Sequence, residues 1–304
     1  LKTVILSEVL QADEKELAEG VYFFNDGQRD KALDRLEKID PRSLGRSLAG
    51  PVALALASLL EEKDAKRALA LLDEARLQSP HTALEEASIR RQILLLVKQT
   101  DLAQALPLAA LYFRRYGASL YAEALQESFA VQLAAQMPTQ NASVSEELFS
   151  EFESLDPNRR SELLSAIARQ SLHSGNLNLA KSAAKAILSM EPQQSIIRKR
   201  ATLYAAAADA PSSEAAAALV LLGSLSNEQL TVEEIQLRDA AIRIARNVMG
   251  KDVQSGAGGS VIIESQKPSE PYPASSGNEP ALRAVISKAD NVMKRADELE
   301  IGGN

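Results

Sequence analysis

The chain of 304 residues contains no cysteine, no tryptophan, two histidines and only 4% aromatic residues. Without cysteine there is no disulfide framework and no thiolate chemistry, an absence compatible with cytoplasm and periplasm alike. His81 and His173 lie far apart with no ligand-spaced partner, so no metal site is expected. No apolar run reaches the roughly 20 residues that a membrane-spanning helix needs. The most apolar tracts, VALALASLL (52–60) and ILLLV (93–97), read as buried helix faces. A net charge of −7 argues against a nucleic-acid partner. The glycine-rich GAGG (256–259) has no preceding strand, no following helix and no Gly-Lys-Ser/Thr, so it reads as linker and not as a phosphate loop. No nucleophile elbow occurs. The carboxylate pairs Glu85–Glu86, Glu146–Glu147 and Glu233–Glu234 stand at expected helix starts, where the helix dipole favours negative charge. They are read as structural, not as acid–base pairs. No catalytic residue and no cofactor is expected.

What the chain does have is a repeat. SGNLNLAKSAAKAILSMEP (174–192) places Gly175 at a turn, small or apolar residues at Ala180, Ala184 and Ile187, and a closing Pro192. EKDAKRALALLDEARLQSP (62–80), NDGQRDKALDRLEKIDP (25–41) and QTDLAQALPLAALYFRRYG (99–117) repeat the pattern, and weaker copies centre on Ala142 and Ala217. The anchors Ala32, Ala68, Ala105, Ala142, Ala180 and Ala217 are 36, 37, 37, 38 and 37 residues apart. A repeat of this length is one helical hairpin that cannot bury its own apolar face and must stack on its neighbours. The second helix of each hairpin holds alanine where two backbones approach, and proline ends it because proline cannot continue the hydrogen-bond ladder. DEKELAEGVYFFND (13–26) has Gly20 and Phe23 where a tetratricopeptide repeat has its first glycine and its aromatic. The chain therefore resembles a degenerate tetratricopeptide array, without Trp and with a slightly longer period, and the expected fold is an all-α solenoid of stacked helical hairpins.

The solenoid is expected over 1–250, opening with a lead-in helix at 1–11. TVEEIQLRDAAIRIARNVMG (231–250) reads as its closing helix, with Thr231 as N-cap and Gly250 just past the end. Residues 251–280 are rich in Gly, Ser and Pro and read as a linker. In 281–304, Leu282, Val285, Ile286, Ala289, Met293, Ala296 and Leu299 fall on one helical face, so an amphipathic helix is expected. Its apolar face either caps the array or inserts into a partner or a second copy; capping is the expectation.

The basic pairs Arg90–Arg91, Arg114–Arg115 and Arg159–Arg160 and the triplet Arg198–Arg200 read mostly as solvated helix faces. In tetratricopeptide arrays, positions of each first helix line a concave groove. Carrying that frame onto this chain places Arg90, Glu127, Ser165, Arg169, His173 and Lys199 towards the groove. It implies a mixed, mildly cationic wall suited to an acidic or polar protein segment.

A closer likeness lies in LDEARLQSPHTALEEASIRRQILLLVKQTDLAQALPLAALYFRRYGASLYAEAL (72–125), which resembles the middle of the MotC periplasmic motility proteins of rhizobia and related alphaproteobacteria. ALDRLEKIDPRSLGRSLAGPVALALASLL (32–60) and IQLRDAAIRIA (235–245) are similar as well. The resemblance implies a non-catalytic periplasmic protein needed for flagellar rotation, acting through the periplasmic part of the stator protein MotB. Two other classes stand beside it. One is a tetratricopeptide adaptor or assembly chaperone of another envelope complex. The other is an enzyme on a helical scaffold, such as a lytic transglycosylase, which needs a glutamate in an aromatic-rich cleft that 4% aromatic content disfavours.

Overall fold

The structure is a computed structural model that describes residues 11–137, 148–190 and 195–254. Among these residues there are α-helices, two short 3-10 turns and no strand, as an all-α helical-hairpin repeat requires. They fall into two compact units divided between Ser79 and Pro80. The first unit holds α1 (Ala12–Asn25), α2 (Arg29–Leu36), α3 (Arg46–Leu60) and α4 (Ala65–Gln78). The second holds α5 (Ala83–Lys98), α6 (Leu102–Tyr116), α7 (Ala122–Gln136), α8 (Pro157–His173), α9 (Leu177–Ser189), α10 (Ser195–Asp209), α11 (Ala215–Ser224) and α12 (Val232–Gln254).

Within the second unit the helices sort into two layers. Helices α5, α7, α8, α10 and α12 pack side by side in that order, and α6, α9 and α11 each pack against the first-layer helix that precedes them. Helix α7 has no such partner helix among the described residues. Its neighbour is the segment 148–154, whose Phe152 stacks edge-on to Phe129 with ring centroids 6.3 Å apart, both rings being fully buried. The tract Val52–Leu60 is buried along its whole length in α3.

The repeat has a clear physical basis at the turn between paired helices. Helices α1, α5 and α8 each end in a left-handed residue, Gly27 (φ 76°), Thr100 (φ 60°) and Gly175 (φ 77°). The next backbone N–H then reaches back to the carbonyls of Phe23, Leu96 and Ser171 at 2.9, 3.0 and 2.8 Å, the Schellman closure that satisfies orphan carbonyls of the last turn. The residue making that bond is also the N-cap of the following helix: Gln28, Asp101 and Asn176. Two successive helices are thereby joined with hardly any loop. Glycine meets this φ without cost, whereas Thr100 is β-branched and strained there. Thr100→Gly is expected to stabilise the second unit by about 0.5–1 kcal/mol, the relief exceeding the extra chain entropy of glycine. Comparing the urea midpoints of the two proteins checks this.

The anchor alanines occupy one structural position. The amide of Ala32, Ala68, Ala105 and Ala180 donates to the carbonyl of the N-cap four residues earlier, at 2.9–3.0 Å, and all four side chains are fully buried. In α11 that position belongs to Ala218, 1% exposed and bonded to the Glu214 carbonyl at 2.9 Å, while Ala217 is exposed. The last copy is therefore registered one residue later than expected, because four consecutive alanines (215–218) give the sequence no contrast. Ala142 lies outside the described residues, as do the lead-in 1–10, the GAGG stretch and the tail. Gly20 also has its expected role: a Cβ there would come 2.6 Å from Leu36 Cδ2, so α1 and α2 cross closely only because the site is glycine. Helix α12 starts as expected, with Thr231 and Glu234 forming a reciprocal capping box at 2.9 and 3.2 Å. It continues four residues beyond Gly250, to Gln254.

Candidate functional site

A cleft of about 290 Å³ opens on the first-layer helices α7, α8, α10 and α12. Its floor is made by Ser165, Arg169 and His173, which the i, i+4, i+8 spacing brings to one face of α8. Gln126 of α7 and Glu162 of α8 edge one side; Arg200 and Tyr204 of α10 and Glu233, Glu234 and Leu237 of α12 form the other.

Three of the six expected groove residues line this cleft: Ser165, Arg169 and His173. Glu127 stands next to it on α7, where it accepts from Arg169 Nη2 at 2.6 Å and from Gln170 Nε2. Arg90 is elsewhere. Its guanidinium stacks over the Tyr121 ring, 4.1 Å from the centroid, and burial pushes its pKa down against the pull of Tyr112 and Glu86. Lys199 also turns away: its Nζ donates to Ser226 Oγ at 2.8 Å and to the Glu228 carbonyl at 2.5 Å, fastening the loop before α12 to α10. The neighbouring Arg200 takes its place in the cleft, with Nε 2.9 Å from Glu234 Oε1.

The wall is not cationic. Two arginines, one histidine and three glutamates line it, and two of the glutamates come from α12, a source that the transferred frame left out. Glu233 and Glu234 occupy the first turn of α12, where the helix dipole favours acidic residues, and that turn faces α8 across the cleft. Arg169 is neutralised by Glu127 and Arg200 by Glu234. Glu234, 6% exposed, also accepts from the Tyr204 hydroxyl at 2.9 Å. Burial, then the Glu234 charge, pushes the Tyr204 hydroxyl well above its ordinary pKa. The cleft thus presents paired charges of both signs on a helical floor.

The carboxylate pair Glu85–Glu86 is buried and fully engaged. Glu85 accepts from the His81 amide (2.5 Å), Arg115 (2.8 Å) and the Tyr116 hydroxyl (2.9 Å). Burial raises its pKa, but these donors outweigh burial and hold it below the usual carboxylate range. The Tyr116 hydroxyl is pushed up to about 12 by burial and by Glu85. Glu86 accepts from the Tyr112 hydroxyl at 2.8 Å and Ser119 Oγ at 2.5 Å. Both carboxylates tie α5 to α6 and its following turn; they also stand in the first turn of α5, the helix start expected for them. Among the described residues no group of three His, Asp or Glu is placed to hold a metal ion, and no helix is long and apolar enough to cross a membrane.

Comparison with known proteins identifies the lineage. No solved structure matches the chain. The chemotaxis protein MotC of Rhizobium meliloti (strain 1021) is 28% identical over 220 residues, 71% of this chain and 50% of the relative. The chain spans about half the length of that curated relative. The family model described as chemotaxis protein MotC matches residues 1–301. With its whole described fold inside that match, the chain belongs to the MotC family of chemotaxis and motility proteins.

Proposed function

We propose that this chain is a non-catalytic periplasmic protein required for flagellar rotation, which binds the periplasmic part of the stator protein MotB through the α8–α10–α12 cleft. The observation that carries the reading is the cleft itself: Arg169, Arg200, Glu233 and Glu234 present both signs of charge on the open face of a packed helical layer. Such a face fits a polar protein segment and, with each arginine already matched to a glutamate, favours specificity over bulk attraction. The periplasmic location and the stator partner are what the family resemblance implies, and the absence of cysteine is compatible with that compartment.

The test is a binding measurement between this chain and the periplasmic part of MotB, with Ser165→Arg as the variant. Ser165 sits on the cleft floor and takes part in none of the cleft's ion pairs, so the larger side chain fills the cleft without breaking one. Affinity is expected to fall at least about 10-fold, with the melting temperature unchanged. Equal affinity would move the contact off the cleft, and no binding by the parent would remove MotB as the partner. In a cell that carries the gene, its deletion should leave filaments assembled and impair their rotation. Missing filaments would instead favour the assembly-chaperone reading.

A further inference from the structure

Within the second unit Arg90 stands without a counter-ion. The half-buried Arg169, Arg200 and Arg238 each sit 2.6–2.9 Å from a carboxylate. Arg90, half-buried on α5, has no hydrogen bond and no ion pair among the described residues, and its Nε is buried without an acceptor. The carboxylate that helical spacing offers it, Glu86 four residues earlier, is already spent on the Tyr112 hydroxyl and Ser119 Oγ. Glu86 acts on Arg90 only at longer range, and burial outweighs it, holding the guanidinium pKa down. A desolvated cation without a partner is costly to keep, and that cost falls when an anion arrives.

The surroundings of Arg90 are fixed in place. Its guanidinium lies 4.1 Å from the centroid of the Tyr121 ring, a stacking that sets the plane of the fork. The turn that carries Tyr121 is fastened to α5: Ser119 Oγ donates to Glu86 and accepts from the Tyr121 amide at 3.2 Å. On the same turn Leu120 is 96% exposed and Tyr121 is 37% exposed. A lone exposed leucine is ordinary on a protein surface. Here it adjoins a tyrosine and an arginine, residue types enriched in binding hot spots. We propose that Arg90, Leu120 and Tyr121 form a docking site for a protein segment, whose carboxylate side chain pairs with the Arg90 guanidinium while an adjoining apolar side chain covers Leu120 and Tyr121. A planar guanidinium edge matches the two oxygens of a carboxylate. The apolar neighbours and the net charge of −7 favour a protein segment over a nucleic acid. The site shares no residue with the α8–α10–α12 cleft and stands whether or not MotB binds there.

The test titrates the full chain with N-acetyl-glutamyl-leucinamide, followed by nitrogen-resolved NMR that includes the arginine Nε–H signals. The Arg90 Nε–H and the Leu120 and Tyr121 amides are expected to shift. Half-saturation should come at a concentration at least about 10-fold lower than with N-acetyl-glutaminyl-leucinamide, since only the charged acceptor gains a charge-assisted pair. Arg90→Met keeps an unbranched stem and removes the fork, so it should lose the preference for the glutamyl peptide. Leu120→Ser, at an exposed position that leaves the fold untouched, should weaken the glutamyl peptide about 3-fold. Shifts confined to the cleft residues Arg169 and Arg200, or an equal response to the glutaminyl peptide or to inorganic phosphate, would overturn the proposal. Unaltered binding by Arg90→Met or by Leu120→Ser would overturn it as well.

Discussion

Glu234→Ala is expected to lower the protection of α12 by about 3 kcal/mol, whereas Glu234→Gln costs about 1 kcal/mol. One buried carboxylate serves two donors here, the Thr231 amide at 2.9 Å and the Tyr204 hydroxyl at 2.9 Å, and forms an ion pair with the Arg200 guanidinium at 2.9 Å. Tyr204 is 3% exposed, so its hydroxyl cannot turn to water when the carboxylate is removed, which costs about 1–3 kcal/mol. Losing half of the capping box adds about 1 kcal/mol. The Arg200 side chain is 37% exposed and rehydrates, so its contribution is small. Glutamine keeps an acceptor for Tyr204 and Thr231 and gives up only the charge. Native-state hydrogen exchange of the α12 amides measures the difference, and a loss below about 1 kcal/mol for the alanine variant would show that α12 is held by other contacts. Titration supplies a second readout. The Tyr204 pKa is raised in the folded state, so its stabilising effect is complete below the ordinary tyrosine value of about 10 and is lost as pH rises beyond it. Without Glu234 that alkaline loss should be shallower.

How much of this was legible in the sequence depended on whether a physical constraint acted on single residues. The turn glycines 27 and 175 were visible because a left-handed residue closes each first helix there. Thr100 performs the same closure without the signature residue, so only the spacing of the repeat pointed to it. The anchors at 32, 68, 105 and 180 were visible because neighbouring positions carry larger side chains, and the run Ala215–Ala218 erased that contrast in α11. The cleft was half legible. Ser165, Arg169 and His173 share a face by helical periodicity alone, which sequence provides. Arg90 and Lys199 carry the same local signal, but each is claimed by a non-local partner: the Tyr121 ring and the loop before α12. Glu233 and Glu234 were recognised as a helix start, yet their position opposite α8 follows from the packing of α12 beside α10, which no local pattern encodes.

The repeat frame itself is most sharply tested by two adjacent alanines. Ala218→Leu is expected to destabilise the second unit by about 1–3 kcal/mol, because added methylenes in a closely packed site force side chains and backbone apart. Ala217→Leu should stay within about 0.5 kcal/mol of the parent, as exposed substitutions away from special features do. The positions differ by one residue, so they are about 100° apart around α11; Ala218 points inward with Ala215 and Leu222, and Ala217 points to solvent. Helix propensity cannot produce the contrast, since leucine replaces alanine in the same turn of the same helix in both variants. Ala180→Leu, at the equivalent fully buried place in α9, should cost at least as much as Ala218→Leu, because α9 lies between α8 and α10 and has less room to give way. Chemical denaturation of the three variants beside the parent decides it. A destabilised Ala217→Leu with an unaffected Ala218→Leu would return the anchor to position 217. Three unaffected variants would mean that these alanines are small for want of selection and not because neighbouring helices crowd them.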